Sequence, residues 1–259
     1  MQRLPKPLRK QTRVLAPIVA LLAAWFAVTG LRLVDPIVLP SPWSVVRAVS
    51  VIVGDRVLGD VALTVARVLG ALAIACVVGI PAGLLLGHRR RWYQMVEGPV
   101  HALRSIPASA LFPLFLIVVG VGESSIVMLA AYPSLLVILV NTVTGATLAN
   151  KRRLYQAKLF ELSAFETVTE IVFYEALPNI FDGIRTAVSY SMVLVIAVEM
   201  FVGLGEHGLG RAVYEYQATY RIPETYAAVI IAGAIGILLN LVVNTVQNRM
   251  LRWLPNVHE

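Results

Sequence analysis

Six apolar runs dominate this 259-residue chain: Val14–Val34, Val61–Gly87, Pro99–Val121, Ser125–Ala146, Asn179–Val202 and Thr225–Leu251. A helix of about 20 residues, rising about 1.5 Å per residue, crosses a hydrocarbon layer about 30 Å thick. Inside that layer no water satisfies backbone N–H and C=O groups, so only helices or a closed barrel survive there. The runs lack the two-residue alternation of barrel strands. The fold class is therefore all-α: a polytopic membrane protein with six transmembrane helices in one domain. Composition agrees, with 58% hydrophobic and 14% charged residues, against about 25% charged in a soluble domain.

Charge gives the direction of threading. Arg3, Lys6, Arg9, Lys10 and Arg13 precede the first run, as in a signal peptide. That run is too long for a signal core and no small-x-small cleavage site follows, so an uncleaved anchor is expected. Basic residues then concentrate in alternate connections: Arg89, Arg90 and Arg91, then Lys151, Arg152, Arg153 and Lys158. The intervening turn at Gly122–Ser124 has none. By the positive-inside bias, both termini and the segment 151–177 are cytoplasmic, with tails at 1–13 and 252–259 around a membrane domain at 14–251. The +7 net charge is thus a topology signal. Membrane lipid accounts for the chain's surface and no nucleic acid is needed.

Catalytic signatures are missing. Cys76 is the single cysteine, and His88, His101, His207 and His258 are scattered without a ligand pair at helical spacing. No phosphate loop and no Gly-x-Ser-x-Gly nucleophile motif occurs. The expectation is a non-enzyme with no catalytic residue, metal or cofactor of its own.

The segment between the fourth and fifth runs is the polar exception. Ser163-Ala164-Phe165-Glu166 reads as a capping box, the Ser accepting from the third helical residue while Glu166 reaches back. A helix from there puts Phe165, Val168 and Val172 on one face, and Glu166 and Glu170 on a solvated one. Lys151–Phe160 reads as a separate helix. The order is helix, tight turn, helix, then Pro178 opening the fifth span. A capped helix with an aromatic anchor on a polar insert reads either as a docking handle or as a solvated loop with incidental helical propensity.

Elsewhere, Leu39-Pro40-Ser41-Pro42 precedes an amphipathic stretch, Trp43–Val53, expected along the outer surface. Gly79, Gly83 and Gly87 share one helix face and allow close approach, either within the bundle or between two copies. A glycine-rich outer loop, Gly203–Leu209, leads to Arg211–Thr219. Polar residues inside spans are costly in hydrocarbon and mark a cavity or partner. Arg67 can snorkel outward beside Asp60 or Thr64. Arg104, before Ser105-Ile106-Pro107, belongs to a helix bent at the proline, and Ser189, Tyr190 and Ser191 lie midway along the fifth span. Together with Glu199, near the outer end, they are the candidate translocation path. Glu199 reads either as a gate or as a salt bridge, including one to a second copy. Asn240 and Asn244 read as helix glue.

These motifs resemble type I ABC importer permeases, and within them the permeases for aliphatic sulfonates, taurine, nitrate and bicarbonate. That subgroup's coupling segment ends Ala-Leu-Pro-x-Ile-x-x-Gly-Leu-Arg, and this chain has Ala176-Leu177-Pro178-Asn179-Ile180-Phe181-Asp182-Gly183-Ile184-Arg185. Further matches are Leu39-Pro40-Ser41-Pro42, Arg104-x-Ile106-Pro107, Gly120-x-Gly122-Glu123, Asn141-Thr142, Glu199-Met200, Gly203-Leu204-Gly205 and Gly208-Leu209-Gly210. The resemblance covers Asp35 to Pro255. It implies the six-helix permease fold, a second permease copy, a cytoplasmic ABC ATPase dimer carrying ATP and Mg²⁺, and an outer solute-binding protein. It also implies location in the bacterial cytoplasmic (inner) membrane and alternating access for a small, anionic solute. Glu161, Ser163, Ala164, Phe165, Glu166, Val168, Pro178 and Gly183 become the residues expected to couple to the ATPase, with the acidic side chains, Glu170 and Glu175 included, meeting a basic groove.

The chain departs from the family at Tyr155-Gln156-Ala157, where Glu-Ala-Ala is usual, at Glu161, where glycine is usual, and at Phe173-Tyr174, in place of Leu-Pro. Glu161 in a left-handed turn costs about 1 kcal/mol, unless the turn is built differently. Two rival readings remain at this point: an ATP-independent secondary transporter or channel, and a membrane scaffold or receptor derived from a permease.

Overall fold

A computed structural model of the chain describes residues 6–54, 57–202 and 207–253, the side chains of 6–15, 90 and 202 excepted. The helices are α1 (Lys6–Gly30), α2 (Pro42–Val53), α3 (Val57–His88), α4 (Arg90–Ser105), α5 (Phe112–Val119), α6 (Glu123–Thr147), α7 (Lys151–Leu159), α8 (Ala164–Thr167), α9 (Phe173–Val202), α10 (Leu209–Ala218) and α11 (Ile222–Met250). A 3₁₀ turn, Ala108–Leu111, precedes α5, and a π turn, Val168–Val172, joins α8 to α9. No strand occurs among the described residues. The glycine-rich motif at 203–205 lies outside them.

Four helical stretches are long and apolar enough to cross a membrane: α3, α6, Ala164–Phe201 and α11. A bent pair, Arg91–Ser105 with Ala108–Val119, raises this to five. Its 84° bend falls at Ile106-Pro107, where Ile106 is extended (ψ 122°), as the residue before a proline prefers. The first expected crossing is represented by α1, whose apolar part is Ala16–Gly30, only about 22 Å at helical rise. The described helices are thus compatible with six crossings.

Pro178 requires a correction. It does not open the fifth span, because α9 runs through it unbroken. A proline inside a helix costs about 3 kcal/mol. Around it Leu177, Ile180 and Phe181 are 3%, 2% and 7% exposed, and each buried side chain of that size returns about 1.5–3 kcal/mol. Burial outweighs the local penalty.

The chain divides into two compact units, Met1–Leu58 with Ala212–Ile231 and Gly59–Arg211 with Ala232–Glu259. In the first, Ser41 caps α2 by accepting from the Ser44 N–H at 3.1 Å. Trp25 Nε1 donates to the Pro40 carbonyl at 3.0 Å, and Tyr226 Oη donates to the Val38 carbonyl at 2.9 Å. The expected amphipathic helix forms here as α2, burying Val45, Ala48 and Ile52.

In the second unit, α3, α6 and α9 share a core of Val68, Ala71, Ala75, Leu129, Ala130, Ile138, Ala187, Val188 and Val195. Glycines set the spacing. A Cβ on Gly83 would lie 2.6 Å from Thr142 Cβ, and one on Gly87 2.6 Å from Ala146 Cβ. The glycine face predicted from the four-residue spacing therefore packs α3 on α6 within the chain. Gly183, expected in the coupling surface, instead packs against Asn141 and Ile138 of α6.

Candidate functional site: elbow, clamp and cavity

The polar segment folds as an elbow. Asn150 caps α7 by accepting from the Arg152 N–H at 2.9 Å. The helix ends in a Schellman turn: Leu162 N–H donates to the Ala157 carbonyl at 3.0 Å and Glu161 N–H to the Lys158 carbonyl at 3.2 Å. Glu161 itself is left-handed, φ 55°, so this turn keeps the geometry that a glycine would supply and Glu161 carries the strain. The capping box then starts α8. Ser163 Oγ accepts from the Glu166 N–H at 3.2 Å, and Glu166 Oε2 accepts from the Ser163 N–H at 2.7 Å.

The predicted shared face of Phe165, Val168 and Val172 does not form. Val168 and Val172 are buried with Leu84, Ala146, Ala176 and Ile180, whereas Phe165 is 78% exposed. Phe165 lies in the single turn of α8, where Ala164 and Glu166 are exposed as well, and burial begins only at Val168. Val168 is therefore an anchor into the chain's own bundle and is not offered to a partner. Glu175 also turns inward, pairing with Arg153 Nη1 at 2.7 Å and tying α7 to α9. Glu161, Ser163, Ala164, Phe165 and Glu166 are exposed. Sequence reasoning missed three neighbours, Tyr155, Leu159 and Phe160, which are 68%, 82% and 78% exposed. Their signal was present: an apolar Leu159-Phe160 pair inside a polar stretch. The tip of the elbow is thus apolar and exposed.

At the other end of α9, buried charges are gathered. Arg67 is 3% exposed, so it does not snorkel. Its Nη1 donates to Glu199 Oε1 at 2.6 Å and to the His207 carbonyl at 3.2 Å. Nε donates to Glu123 Oε2 at 2.6 Å, and Nη2 to Glu123 Oε1. Thr64 Oγ1 donates to Glu199 at 2.9 Å. Gly210 N–H donates to Glu199 Oε2 at 2.8 Å, Leu209 N–H to Thr64 Oγ1 at 2.9 Å, and Gly208 N–H to Asp60 Oδ1 at 2.8 Å. Buried charges persist only when paired and fully hydrogen-bonded, and two carboxylates, a hydroxyl and the first N–H groups of α10 meet that condition. Glu199 finds its salt bridge within the chain. The cluster is a clamp joining α3, the start of α6, the end of α9 and the start of α10.

Of the predicted path residues, the structure brings only Ser189 and Tyr190 together. They line a cavity of about 530 Å³ with Arg185, Thr186, Val193 and Asn240. Ser191 faces the other way, buried with its Oγ 2.8 Å from Ser134 Oγ, because residues 100° apart per step cannot all face one space. Arg104 is exposed in the last turn of α4, and Glu199 is locked in the clamp. Among the described residues no group of His, Cys, Asp and Glu could hold a metal ion.

Membrane-length helices, an exposed elbow and a cavity beside α9 make this a polytopic α-helical membrane protein. Residues 79–254 match the family described as the binding-protein-dependent transport system inner membrane component. The chain belongs to that family. It is 25% identical to the taurine transport system permease protein TauC of Escherichia coli, over 95% of this chain and 92% of that protein. It is 29% identical to the bicarbonate transport system permease protein CmpB of Synechococcus elongatus, over 72% and 66%. In fold it is similar to a chain of the inward-facing MetNI methionine ABC transporter: TM-score 0.63, 18% identity, 75% of this chain and 95% of that one.

Proposed function

We propose that this chain is the path-forming subunit of an ATP-driven importer for a small anionic solute. Two copies form the path, and a cytoplasmic ABC ATPase dimer, carrying ATP and Mg²⁺, grips the two elbows. An outer solute-binding protein delivers the solute. Both termini, 1–13 and 252–259, are cytoplasmic, and residues 14–251 form one permease domain in the inner membrane. ATP hydrolysis belongs to the partner, since the chain has no phosphate loop. The anionic solute is supported by relatives named for taurine and bicarbonate.

The observation that carries this reading is the elbow: an exposed apolar tip at Leu159, Phe160 and Phe165 on a base fixed in the core by Val168 and Val172. A grip on such a tip moves the bundle, because the base cannot slip. The test is vesicle uptake with the ATPase and binding protein present. ATP-dependent uptake is expected, and Phe165→Ala should lower uptake and ATPase stimulation together while leaving membrane insertion intact. Normal coupling in that variant would count against the grip, and uptake without ATP would favour a secondary transporter.

A further inference from the structure

The turn between α3 and α4 gathers positive charge that the chain does not neutralise. Arg89, Arg90 and Arg91 stand in a row, and no Asp or Glu occurs from Val61 to Val96. Arg89 and Arg91 are exposed, and neither makes an ion pair among the described residues. The Arg89 guanidinium instead lies over the Trp92 ring, 4.9 Å from its centroid. A guanidinium stacked on a ring keeps its in-plane N–H donors available to an anion. The next acidic residue, Glu97, lines a cavity with Tyr93 on the half-buried side of α4.

Beyond that row α4 carries an exposed apolar stripe. Trp92, Met95, Leu103 and Ile106 are 50%, 77%, 41% and 41% exposed, and Pro99 and Ala102 are exposed between them. Steps of three or four residues place them on one helix face. The opposite face is already occupied: Val100 is buried against Leu139 and Val143 of α6, with Tyr93 beside them. Leu85, four residues before Arg89 on α3, is 55% exposed, so apolar surface flanks the turn on both helices. From Trp92 to Ile106 the stripe runs about 21 Å, enough to pass through one hydrocarbon leaflet of about 15 Å.

We propose that this surface is a docking site for an anionic phospholipid. Arg89 and Arg91 hold its phosphate, and its acyl chains lie along Met95, Pro99 and Leu103. The match is of charge and polarity together, a cationic row and an indole at headgroup level and then hydrocarbon. A second copy seated on the same face by two-fold symmetry would set one basic row near the other, whereas a lipid headgroup supplies the missing negative charge. On the topology proposed above, the lipid belongs to the cytoplasmic leaflet. The site uses none of the residues that form the elbow, the clamp or the cavity beside α9.

Trp92 is its own reporter. With Trp25, Trp43 and Trp253 replaced by Phe, the full chain is reconstituted into vesicles of equal parts phosphatidylglycerol and phosphatidylcholine, one or the other brominated on its acyl chains. The relative association constant read from Trp92 quenching should favour phosphatidylglycerol by about fivefold or more. Arg89→Gln with Arg91→Gln should bring that ratio close to unity while quenching by phosphatidylcholine persists. Arg89→Lys with Arg91→Lys should keep the preference, and excess inorganic phosphate should leave it unchanged. A ratio near unity with the arginines in place overturns the proposal, as does a preference that survives the glutamine pair in monodisperse protein. Loss of the preference in free phosphate would assign the row to a soluble anion and overturn it too. So would absence of quenching by either lipid, the result expected if a second copy covers the face. The measurement involves no ATP, ATPase or solute, so its outcome is read separately from that of the uptake assay.

Discussion

Replacing the glycines of α3 with alanine, one at a time, should give a graded series set by the distance to α6. A Cβ on Gly83 meets Thr142 Cβ at 2.6 Å, Thr142 Cγ2 at 2.8 Å and the Leu139 carbonyl oxygen at 2.9 Å. Carbon atoms pack best at about 3.5–4.0 Å, and a main-chain oxygen cannot rotate aside. The two helices must therefore separate by roughly 1 Å at that level. Overpacking of this kind costs about 1–3 kcal/mol, against a gain of about 1 kcal/mol in helix propensity for alanine. Gly83→Ala should thus destabilise by up to about 2 kcal/mol, and Gly87→Ala similarly, since its Cβ meets Ala146 Cβ at 2.6 Å and the Val143 carbonyl oxygen at 2.9 Å. Gly79→Ala meets the Leu135 oxygen at 3.2 Å, so the two terms should nearly cancel. Gly70→Ala meets only the Val127 methyls, at 3.5 and 3.9 Å, and should be neutral or stabilising. Denaturation of the purified chain in detergent gives the order. A Gly83→Ala variant as stable as Gly70→Ala would refute the packing argument, and a change confined to self-association would place the glycine face between copies instead.

The clamp and the elbow offer two further tests. Glu199→Ala leaves Arg67 Nη1, the Thr64 hydroxyl and the Gly210 N–H without their buried acceptor, which should cost about 3–5 kcal/mol; an unchanged thermal midpoint in detergent would reject the clamp. Glu161→Gly should relieve about 1–2 kcal/mol of left-handed strain and return part of it as unfolded-chain entropy, for a net gain of about 0.5–1 kcal/mol. Limited proteolysis across Leu159–Ser163 should slow, and faster cleavage would show that the turn does not depend on that residue.

What was readable in the sequence follows from how local each determinant is. Lipid leaves the backbone few options, so the helical class was forced by the apolar runs alone. The capping box spans four residues and formed as read. Glu161 was also readable, since its cost is a property of one residue's φ. Arg67 was not. Its position along the helix gave a depth but no direction, and its partners Glu123 and Glu199 lie 56 and 132 residues away. Pro178 misled because a local penalty met non-local burial, and Phe165 was misassigned because a 3.6-residue pattern does not show where along the elbow burial begins.

The three features meet on one helical stretch, Ala164–Phe201, of 38 residues, about 57 Å long. Phe165 is exposed at one end, Ser189 and Tyr190 line the cavity about two thirds of the way along, and Glu199 is fastened to Arg67 at the other end. A helix is stiff over that length, and the clamp costs several kcal/mol to break. If the ATPases grip the elbow as proposed, the cheaper response is a tilt about the clamped end, in the manner of a hinge. A tilt of about 5° over this length moves the elbow by about 5 Å and the cavity wall by less than half as much. The α6–α9 contact resists that motion at Gly145 and Gly183, where backbone and small side chains already touch. The bundle therefore has either to move α6 along with α9 or to release the clamp. The first keeps Arg67, Glu123 and Glu199 together through the cycle, whereas the second makes their separation the outer gate. A disulfide or crosslink that fixes α3 to the end of α9 distinguishes them: continued uptake favours joint movement, and arrest favours the gate.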